Sequence, residues 1–166
     1  MQITIPDSIA EKAKMKGIDV EVFVIEVLLR ELDLDPVEEA RVHLELAERL
    51  LEEGRKLIDS DPIQASEKLY KVAEECIKAL AKIENLDEAI EAKKRGRWTL
   101  SLLDYAAKKL GEKICEEIYH SWDHAYFLHV EGFHEARLEP EQIRARLRYI
   151  EKLFEIAKKR IYGEQC

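Results

Sequence analysis

Apolar residues recur every three or four positions over most of this 166-residue chain, and that spacing constrains the fold more than any other feature. It is the period of an amphipathic α-helix, whereas the alternation typical of a half-buried strand is almost absent. The clearest apolar seams cover 37–51, 69–83 and 143–161. Such seams let antiparallel helices pack at shallow crossing angles. The sequence therefore predicts an all-α fold.

Two of the predicted helices have a start that the sequence marks clearly. In the segment DPVEE, Asp35 can cap a helix, Pro36 takes its first position and Glu38 completes a capping box. The segment DPIQA at 61–65 repeats the arrangement. Because the connections between helices are short, successive long helices are predicted to run up and down.

We predict that residues 35–166 form an up-and-down bundle of four long helices with one shorter helix. The shorter helix is expected over 98–110, where Gly111 stops it. The long helix that follows is predicted to be one continuous rod over 112–131, and it carries most of the histidines. The last long helix begins after Pro140.

Residues 1–34 follow a different pattern and are predicted to form a separate strand–helix–helix segment. The segment ITI at 3–5 alternates like a brief strand, and a first helix is expected over 6–17. A second helix, over 19–32, is apolar nearly all round, so it must be buried on more than one side.

This amino-terminal segment resembles the ribbon–helix–helix modules, which dimerise through a shared two-stranded ribbon. Those modules read DNA with polar or basic strand residues, but the outward candidates here are only Gln2 and Thr4. We therefore expect the segment to mediate dimerisation or to pack on the bundle rather than to read DNA.

Composition and charge exclude several classes of protein. The net charge of −8 argues against non-specific DNA binding, which requires clustered Lys and Arg. No apolar run approaches the roughly 18 residues that span a bilayer, and the amino terminus lacks a signal-peptide pattern. The three cysteines are far apart and lack C-x-x-C spacing, so no disulfide framework or cysteine zinc site is indicated. A soluble, cytoplasmic protein without a cofactor is predicted.

One stretch of this acidic chain is strongly basic. Between positions 93 and 109 six basic residues face a single acid, and the segment KKRGRW lies within it. Arg95 and Arg97 offer forked donors for phosphate, Gly96 gives access to the backbone, and Trp98 offers a stacking face. The alternative is a solvated basic turn in which Trp98 anchors the next helix in the core.

Three polar residues of the predicted histidine helix form the weak candidates for a metal site. At about 100° per residue, His120, Asp123 and His124 share one face, and the two histidines have the i, i+4 spacing that lets both meet one ion. The sequence HSWDH lacks the Glu that follows the first His in zincin helices. A solvated polar face is the favoured interpretation of these residues, and no metal is predicted.

The remaining histidines of this helix are the candidates for acid–base or ligand contact. On the same helical wheel His129 lies in the middle of the apolar face, whereas His134 and Glu135 lie on the polar face. His129 is either a core residue satisfied by a neighbouring carboxylate or hydroxyl, or a buried group that contacts a ligand or transfers a proton. Gly132 can bend the helix and change the phase of the residues after it.

Over nearly its whole length, and most clearly in three segments, the chain resembles the archaeal PaREP family, which is placed in the HEPN superfamily of helical domains. The three segments are SDPIQASEKLYKVAEECIKAL, EAKKRGRWT and WDHAYFLHVEGFHEARLEP. The resemblance implies a HEPN-like up-and-down bundle, commonly a homodimer, in organisms from hot environments. It does not imply an established reaction.

HEPN ribonucleases carry an Arg followed four to six residues later by a His, and no arginine of this chain has a His at that distance. That catalytic assignment is therefore not carried over. The candidate catalytic residues are His129, His134 and Glu135, and the candidate ligand-binding residues are Arg95, Arg97, Trp98, His129 and His134.

The favoured hypothesis is a homodimeric module, of unestablished activity, that binds a nucleotide, RNA or another protein. One alternative is a divergent HEPN ribonuclease, or a toxin-type ribonuclease without the usual motif, that uses His134 and Glu135. The other is a partner subunit for a nucleotidyltransferase encoded by a neighbouring gene, which rests on superfamily analogy alone.

Overall fold

The computed structural model describes residues 3–163. Within them the regular secondary structure is entirely helical, so the predicted all-α fold is confirmed. The chain divides into two compact units, Met1–Leu34 and Asp35–Cys166. None of the described helices is both long enough and apolar enough to cross a bilayer.

The amino-terminal unit contains two helices, α1 (Asp7–Met15) and α2 (Val20–Glu31). Asp19 caps α2, since its carboxylate accepts the backbone N–H groups of Glu21 and Val22. The predicted strand at 3–5 is wrong: these residues are not in a strand, because a strand needs a neighbour to complete its hydrogen bonds. Of the two residues considered for DNA reading, Thr4 is exposed and Gln2 lies outside the described residues.

Over residues 35–163 the second unit forms six α-helices and a π-helix. They are α3 (Pro36–Leu57), α4 (Pro62–Ile83), α5 (Asp87–Arg95), α6 (Leu100–Lys113), α7 (Glu117–Phe127), the π-helix (Leu128–His134) and α8 (Pro140–Tyr162). The central helix, α4, packs against α3, α8, α6, α7 and the π-helix. Its apolar seam therefore supplies the middle of the core.

Local capping fixes where the first two helices of the bundle begin. Asp35 accepts the N–H groups of Val37 and Glu38 at 2.8 and 2.9 Å, and its own N–H donates to Glu38 Oε2 at 3.1 Å. This is the predicted capping box. Asp61 caps α4 by accepting the N–H of Gln64 at 3.0 Å, which is one half of the same arrangement.

Ion pairs near the helix ends show how the long helices run. Lys82, near the end of α4, binds Glu39, near the start of α3, with Nζ and Oε2 2.8 Å apart, so α3 and α4 are antiparallel. Arg160, near the end of α8, binds Glu84, which directly follows α4, at 2.7 Å. The helices α4 and α8 therefore end on the same side of the bundle.

The predicted rod over 112–131 is wrong, because the chain breaks between α6 and α7 and widens into the π-helix at Leu128. Gly111 does not stop α6, which continues to Lys113. A Cβ at Gly111 would lie 3.0 Å from Tyr119 Cβ, so this glycine allows α6 and α7 to approach closely. The glycine at position 111 therefore indicates close packing of two helices rather than the end of a helix.

Candidate functional site

The π-helix at Leu128–His134 is held against α4 by a close approach at Gly132. A Cβ on Gly132 would lie 2.5 Å from Ser66 Cβ and closer still to the Ser66 hydroxyl, so only glycine fits. The wide turn also shows in the backbone, where the N–H of Glu135 donates to the carbonyl of Val130 at 2.9 Å. Such turns inside helices are frequent at functional sites.

The wide turn brings two histidines together that an α-helix would keep apart. Residues five positions apart point roughly 140° away from each other in an α-helix. In the π-helix, by contrast, the Nε2 atoms of His129 and His134 are 3.0 Å apart and share a hydrogen bond. His129, predicted on the apolar face, and His134, predicted on the polar face, therefore form one pair in the structure.

A carboxylate completes this pair to a line of three groups. His129 Nδ1 lies 2.8 Å from Glu67 Oε2 of α4. We assign the proton to His129 Nδ1, which donates to Glu67, because a carboxylate only accepts. His129 Nε2 then accepts from His134 Nε2–H, and His134 Nδ1 is the outermost nitrogen of the line. We call Glu67, His129 and His134 the histidine relay.

Aromatic rings surround the histidine relay. The His129 ring stacks on Tyr70 with centroids 4.1 Å apart, and Phe133 and Tyr126 lie at 6.1 and 6.5 Å. Burial and the nearby Glu74 carboxylate raise the pKa of Tyr70 far above its ordinary value, so its phenol stays neutral. Tyr70 is thus the inner wall of the site.

The histidine relay leads from the bundle to its surface. The side chains of Glu67 and His129 are 16% and 21% exposed, whereas His134 is exposed. Tyr126, one turn before His129, is 40% exposed. A ligand can therefore reach His134 Nδ1 and the Tyr126 ring without any displacement of the core.

Glu135 is engaged elsewhere than in the histidine relay. Its carboxylate binds Arg137, with the Nη2 and Oε2 atoms 2.9 Å apart, and Arg137 also binds Glu131 at 3.4 Å. The carboxylate that orients His129 is Glu67, which the sequence did not single out, because it lies 62 positions away on α4.

Of the three weak metal candidates on α7, Asp123 is exposed and the two histidines contact other side chains. The His124 ring stacks on Tyr149 of α8 with centroids 3.7 Å apart, and His120 lies 3.5 Å from Glu116. Burial and the charge of Arg146 lower the pKa of His124 below its ordinary value. Within residues 3–163, no group of three or more His, Cys, Asp or Glu side chains is placed to hold a metal ion.

The basic segment KKRGRW forms the end of α5 and the turn into α6. Arg95 donates from Nε to Glu91 at 2.7 Å, and Gly96 ends α5 with φ of 69°. Arg97 is exposed, whereas Trp98 is half-buried just before Thr99, the cap of α6. The segment therefore has features of both interpretations, an accessible guanidinium and an anchored indole.

The register of α6 against α7 relates this turn to the histidine relay. Trp122 Nε1 donates to Asp104 at 3.0 Å, which sets the two helices level at that point. Leu100 lies four residues before Asp104 in α6, and Tyr126 lies four residues after Trp122 in α7. Each is therefore about 6 Å from this hydrogen bond, measured along its own helix axis. The turn that contains Trp98 thus lies at about the height of Tyr126.

A buried ionic cluster in the core was missed by the sequence analysis. His43 Nδ1 of α3 lies 2.6 Å from Glu75 Oε2 of α4, and Lys78 Nζ binds Glu75 Oε1 at 2.7 Å. The three residues are between 2% and 4% exposed. Glu39 continues the cluster, since one of its oxygens is 3.9 Å from His43 Nε2 and the other binds Lys82. We call these five residues the ionic line.

The charges of the ionic line stabilise one another against burial. Burial alone would lower the pKa of His43, but the carboxylates of Glu75 and Glu39 together outweigh it and raise that pKa above its ordinary value. Burial likewise opposes ionisation of Glu75, yet Lys78 and His43 lower its pKa to about 2. The only sequence signal was a charged residue beside an apolar seam on each helix, which does not reveal the pairing.

The stability that His43 contributes should decrease as the pH rises. Because the pKa of His43 is raised on folding, its contribution is complete below the ordinary value of 6.5 and is lost as the pH passes the higher folded value. Urea unfolding of the wild type and of His43→Gln should therefore differ more at about pH 6 than at about pH 9. The exposed-site variant His120→Gln is the control, and a His43 difference independent of pH would contradict the assignment.

Comparison with known proteins adds the family. The sequence model described as the Archaeal PaREP1/PaREP8 family matches residues 37–154, which is more than half of the chain. The chain belongs to the archaeal PaREP1/PaREP8 family. The match contains the histidine relay and the ionic line, and the amino-terminal unit lies outside it. Among curated proteins none matches this chain.

Two solved structures are similar to this family member. One is the crystal structure of a Sulfolobus solfataricus protein, with 38% identity over 74% of this chain and 95% of that one and a TM-score of 0.58. The other is the solution structure of the Orf c02003 protein, with 36% identity over 74% of this chain and 90% of that one and a TM-score of 0.57. Neither description assigns an activity.

Proposed function

We propose that this protein binds a nucleotide or a short single-stranded RNA at the π-helix. The observation that carries the proposal is the histidine relay, in which a buried-side carboxylate orients two imidazoles towards an accessible surface. His134 Nδ1 is the contact for phosphate, because it is the outermost nitrogen of the histidine relay and in the imidazolium form it carries a proton to donate.

The surroundings of the histidine relay suit a nucleic-acid base. Tyr126 offers an exposed ring and Phe133 a half-buried one, and bases stack on such rings with little sequence preference. Arg97 and Trp98, at the height of Tyr126, supply a further phosphate donor and stacking face, with Arg95 beside them. A short RNA strand that follows this level of the bundle would meet both groups of residues.

We further infer that two copies of the chain associate through the amino-terminal unit. Among its described residues Val22 alone is buried, and it leaves several large apolar side chains exposed, Ile9, Met15, Phe23, Leu28 and Leu32. Units of under about 40 residues rarely fold without a staple or a partner, and this one contains no cysteine. A HEPN-type homodimer would agree with this association, whereas a partner from a neighbouring gene is the competing arrangement.

The binding of RNA should depend on His134. A fluorescently labelled single-stranded RNA of about eight nucleotides is titrated with wild-type protein, His134→Ala and His120→Ala, and polarisation is measured. We expect His134→Ala to weaken binding by at least about ten-fold, which corresponds to one lost charge-assisted contact. His120→Ala also removes an exposed imidazole from this region and should bind as the wild type does. Equal affinities for all three proteins would refute the site.

The same RNA tests a second candidate function, cleavage of the phosphodiester bond. The histidine relay favours it, since its geometry is that of a base oriented by a carboxylate. The proton of a ribose 2′-hydroxyl would pass to His134 Nδ1 while O2′ attacks phosphorus, and the departing 5′-oxygen would take a proton from water. A denaturing gel of the incubated RNA should then show cleavage by wild type that is lost in His134→Ala. RNA that is bound but intact leaves the binding function alone.

A further inference from the structure

A second concave site lies at the opposite end of α4 from the histidine relay. A pocket of about 320 Å³ lies between the start of α3 at Pro36, the end of α4 at Lys82 and one face of α5. That volume is at the lower end of the range for small-molecule sites. Glu67, in contrast, lies in the second turn of α4.

Among the described residues that line this pocket, the charged ones are all lysines. Lys82 lies at its inner side with a side chain 13% exposed, and Lys93 and Lys94 are exposed on α5. The nearby acid Glu91 is bound by Arg95 Nε at 2.7 Å. We call this site the lysine pocket. Its charge is opposite to that of the chain as a whole, which is −8.

The ionic line, which runs from the lysine pocket into the core, adds to the positive charge of the pocket. It ends at Lys82, whose Nζ binds Glu39 Oε2 at 2.8 Å, and it continues inward to His43, Glu75 and Lys78. With His43 protonated, three cationic groups face two carboxylates, which leaves one positive charge. That charge is buried in protein rather than in water, so it is screened less than a surface charge.

Beside the three lysines, the lysine pocket is lined by one polar residue, Asn85, and by an apolar wall. The apolar wall is made by Pro36, Ala89 and Ile90, and Ile90 is 53% exposed although it lies on a helix that packs against the bundle. A dianionic phosphate carries one negative charge more than a carboxylate ligand, so it is the better match for a site with three lysines. Lysine binds phosphate as a point charge. We propose that the lysine pocket binds a phosphate monoester whose body is apolar or aromatic.

This second site is independent of the histidine relay and of its proposed function. It uses Lys93 and Lys94 of the basic segment, which the RNA proposal leaves unused, and no residue of the relay lines it. The two sites therefore make separate predictions. Loss of His134 should leave the lysine pocket intact, and changes at the lysine pocket should leave RNA binding at the π-helix intact.

Calorimetric titration of the full chain at low salt tests the proposal with three probes: phenyl phosphate, inorganic phosphate and benzoate. We expect saturable binding at one site, with phenyl phosphate tighter than either other probe. The double variant Lys93→Glu/Lys94→Glu should weaken phenyl phosphate at least about ten-fold, because attraction becomes repulsion. The matched control is Lys108→Glu/Lys152→Glu, which makes the same change in net charge at exposed positions outside the pocket and should bind normally.

Two further variants separate the parts of the proposal. Ile90→Asn should weaken phenyl phosphate several-fold and leave inorganic phosphate unchanged, since it removes apolar wall only. His134→Ala should bind every probe as the wild type does. Absence of saturable binding, equal loss in the two double variants, or tighter binding of benzoate than of phenyl phosphate would each overturn the assignment.

Discussion

Replacement of Glu75 by Gln should lower the free energy of unfolding by about 3–5 kcal/mol, because it leaves buried cations without a counter-charge. Glu75 lies between Lys78 and His43, at 2.7 and 2.6 Å, and all three side chains are almost fully buried. Gln retains the shape of the side chain but not its charge. Urea denaturation at neutral pH, with the slope checked for constancy, measures the loss.

The control for this prediction is an ion pair of the same two helices at the surface. Glu53 binds Lys68 at 2.8 Å with side chains 46% and 24% exposed, so Glu53→Gln should cost less than about 1 kcal/mol. A triple change of His43, Glu75 and Lys78 to apolar residues of similar size should recover much of the loss, since Glu39 and Lys82 still pair with each other and no unpaired charge then stays buried. A cost for Glu75→Gln equal to that of the surface control would contradict the role given to the ionic line.

Replacement of Gly132 by Ala should destabilise the protein by about 1–3 kcal/mol and separate the histidine relay. The new methyl group would lie 2.5 Å from Ser66 Cβ, so the π-helix would have to move away from α4. That movement would draw His129 away from Glu67, which is on the same helix as Ser66. Thermal unfolding measures the first effect, and RNA binding by the variant measures the second.

Changes at Ser66 distinguish a steric conflict from an effect on helix propensity. In the background Ser66→Gly, which removes both conflicting atoms, Gly132→Ala should cost much less. In the background Ser66→Ala the Cβ remains, and most of the cost should remain with it. An identical cost in all three backgrounds would show that the close approach at Gly132 is unimportant.

The helices that depend on local rules were predictable from the sequence. The capping box at Asp35 and the cap at Asp61 lie within four residues of the groups they bind, so they can be read without a structure. The seams of α3, α4 and α8 likewise follow from periodicity alone. The all-α fold and the up-and-down course of the long helices rest on these signals.

The geometry of the candidate site depends on contacts between helices, which one sequence does not reveal. The helical wheel placed His129 and His134 on opposite faces, because it assumed a regular α-helix beyond residue 128. Gly132 was noted as a possible bend, but the partner that makes the bend favourable, Ser66, lies 66 positions earlier. The same reason hid the bond between His43 and Glu75, which joins two helices 32 positions apart.

Because of the wide turn at Leu128–His134, the positions of the two imidazoles can change without a change in the helical bundle. A π-turn contains one residue more than an α-turn. The extra residue is accommodated locally, so the helices on either side keep their packing positions in the bundle. A related protein with one residue fewer between α7 and α8 would retain the same helical bundle, but its two histidine rings would point away from each other. Counting residues across that interval is therefore a simple way to recognise which members of this family have inherited the paired histidines.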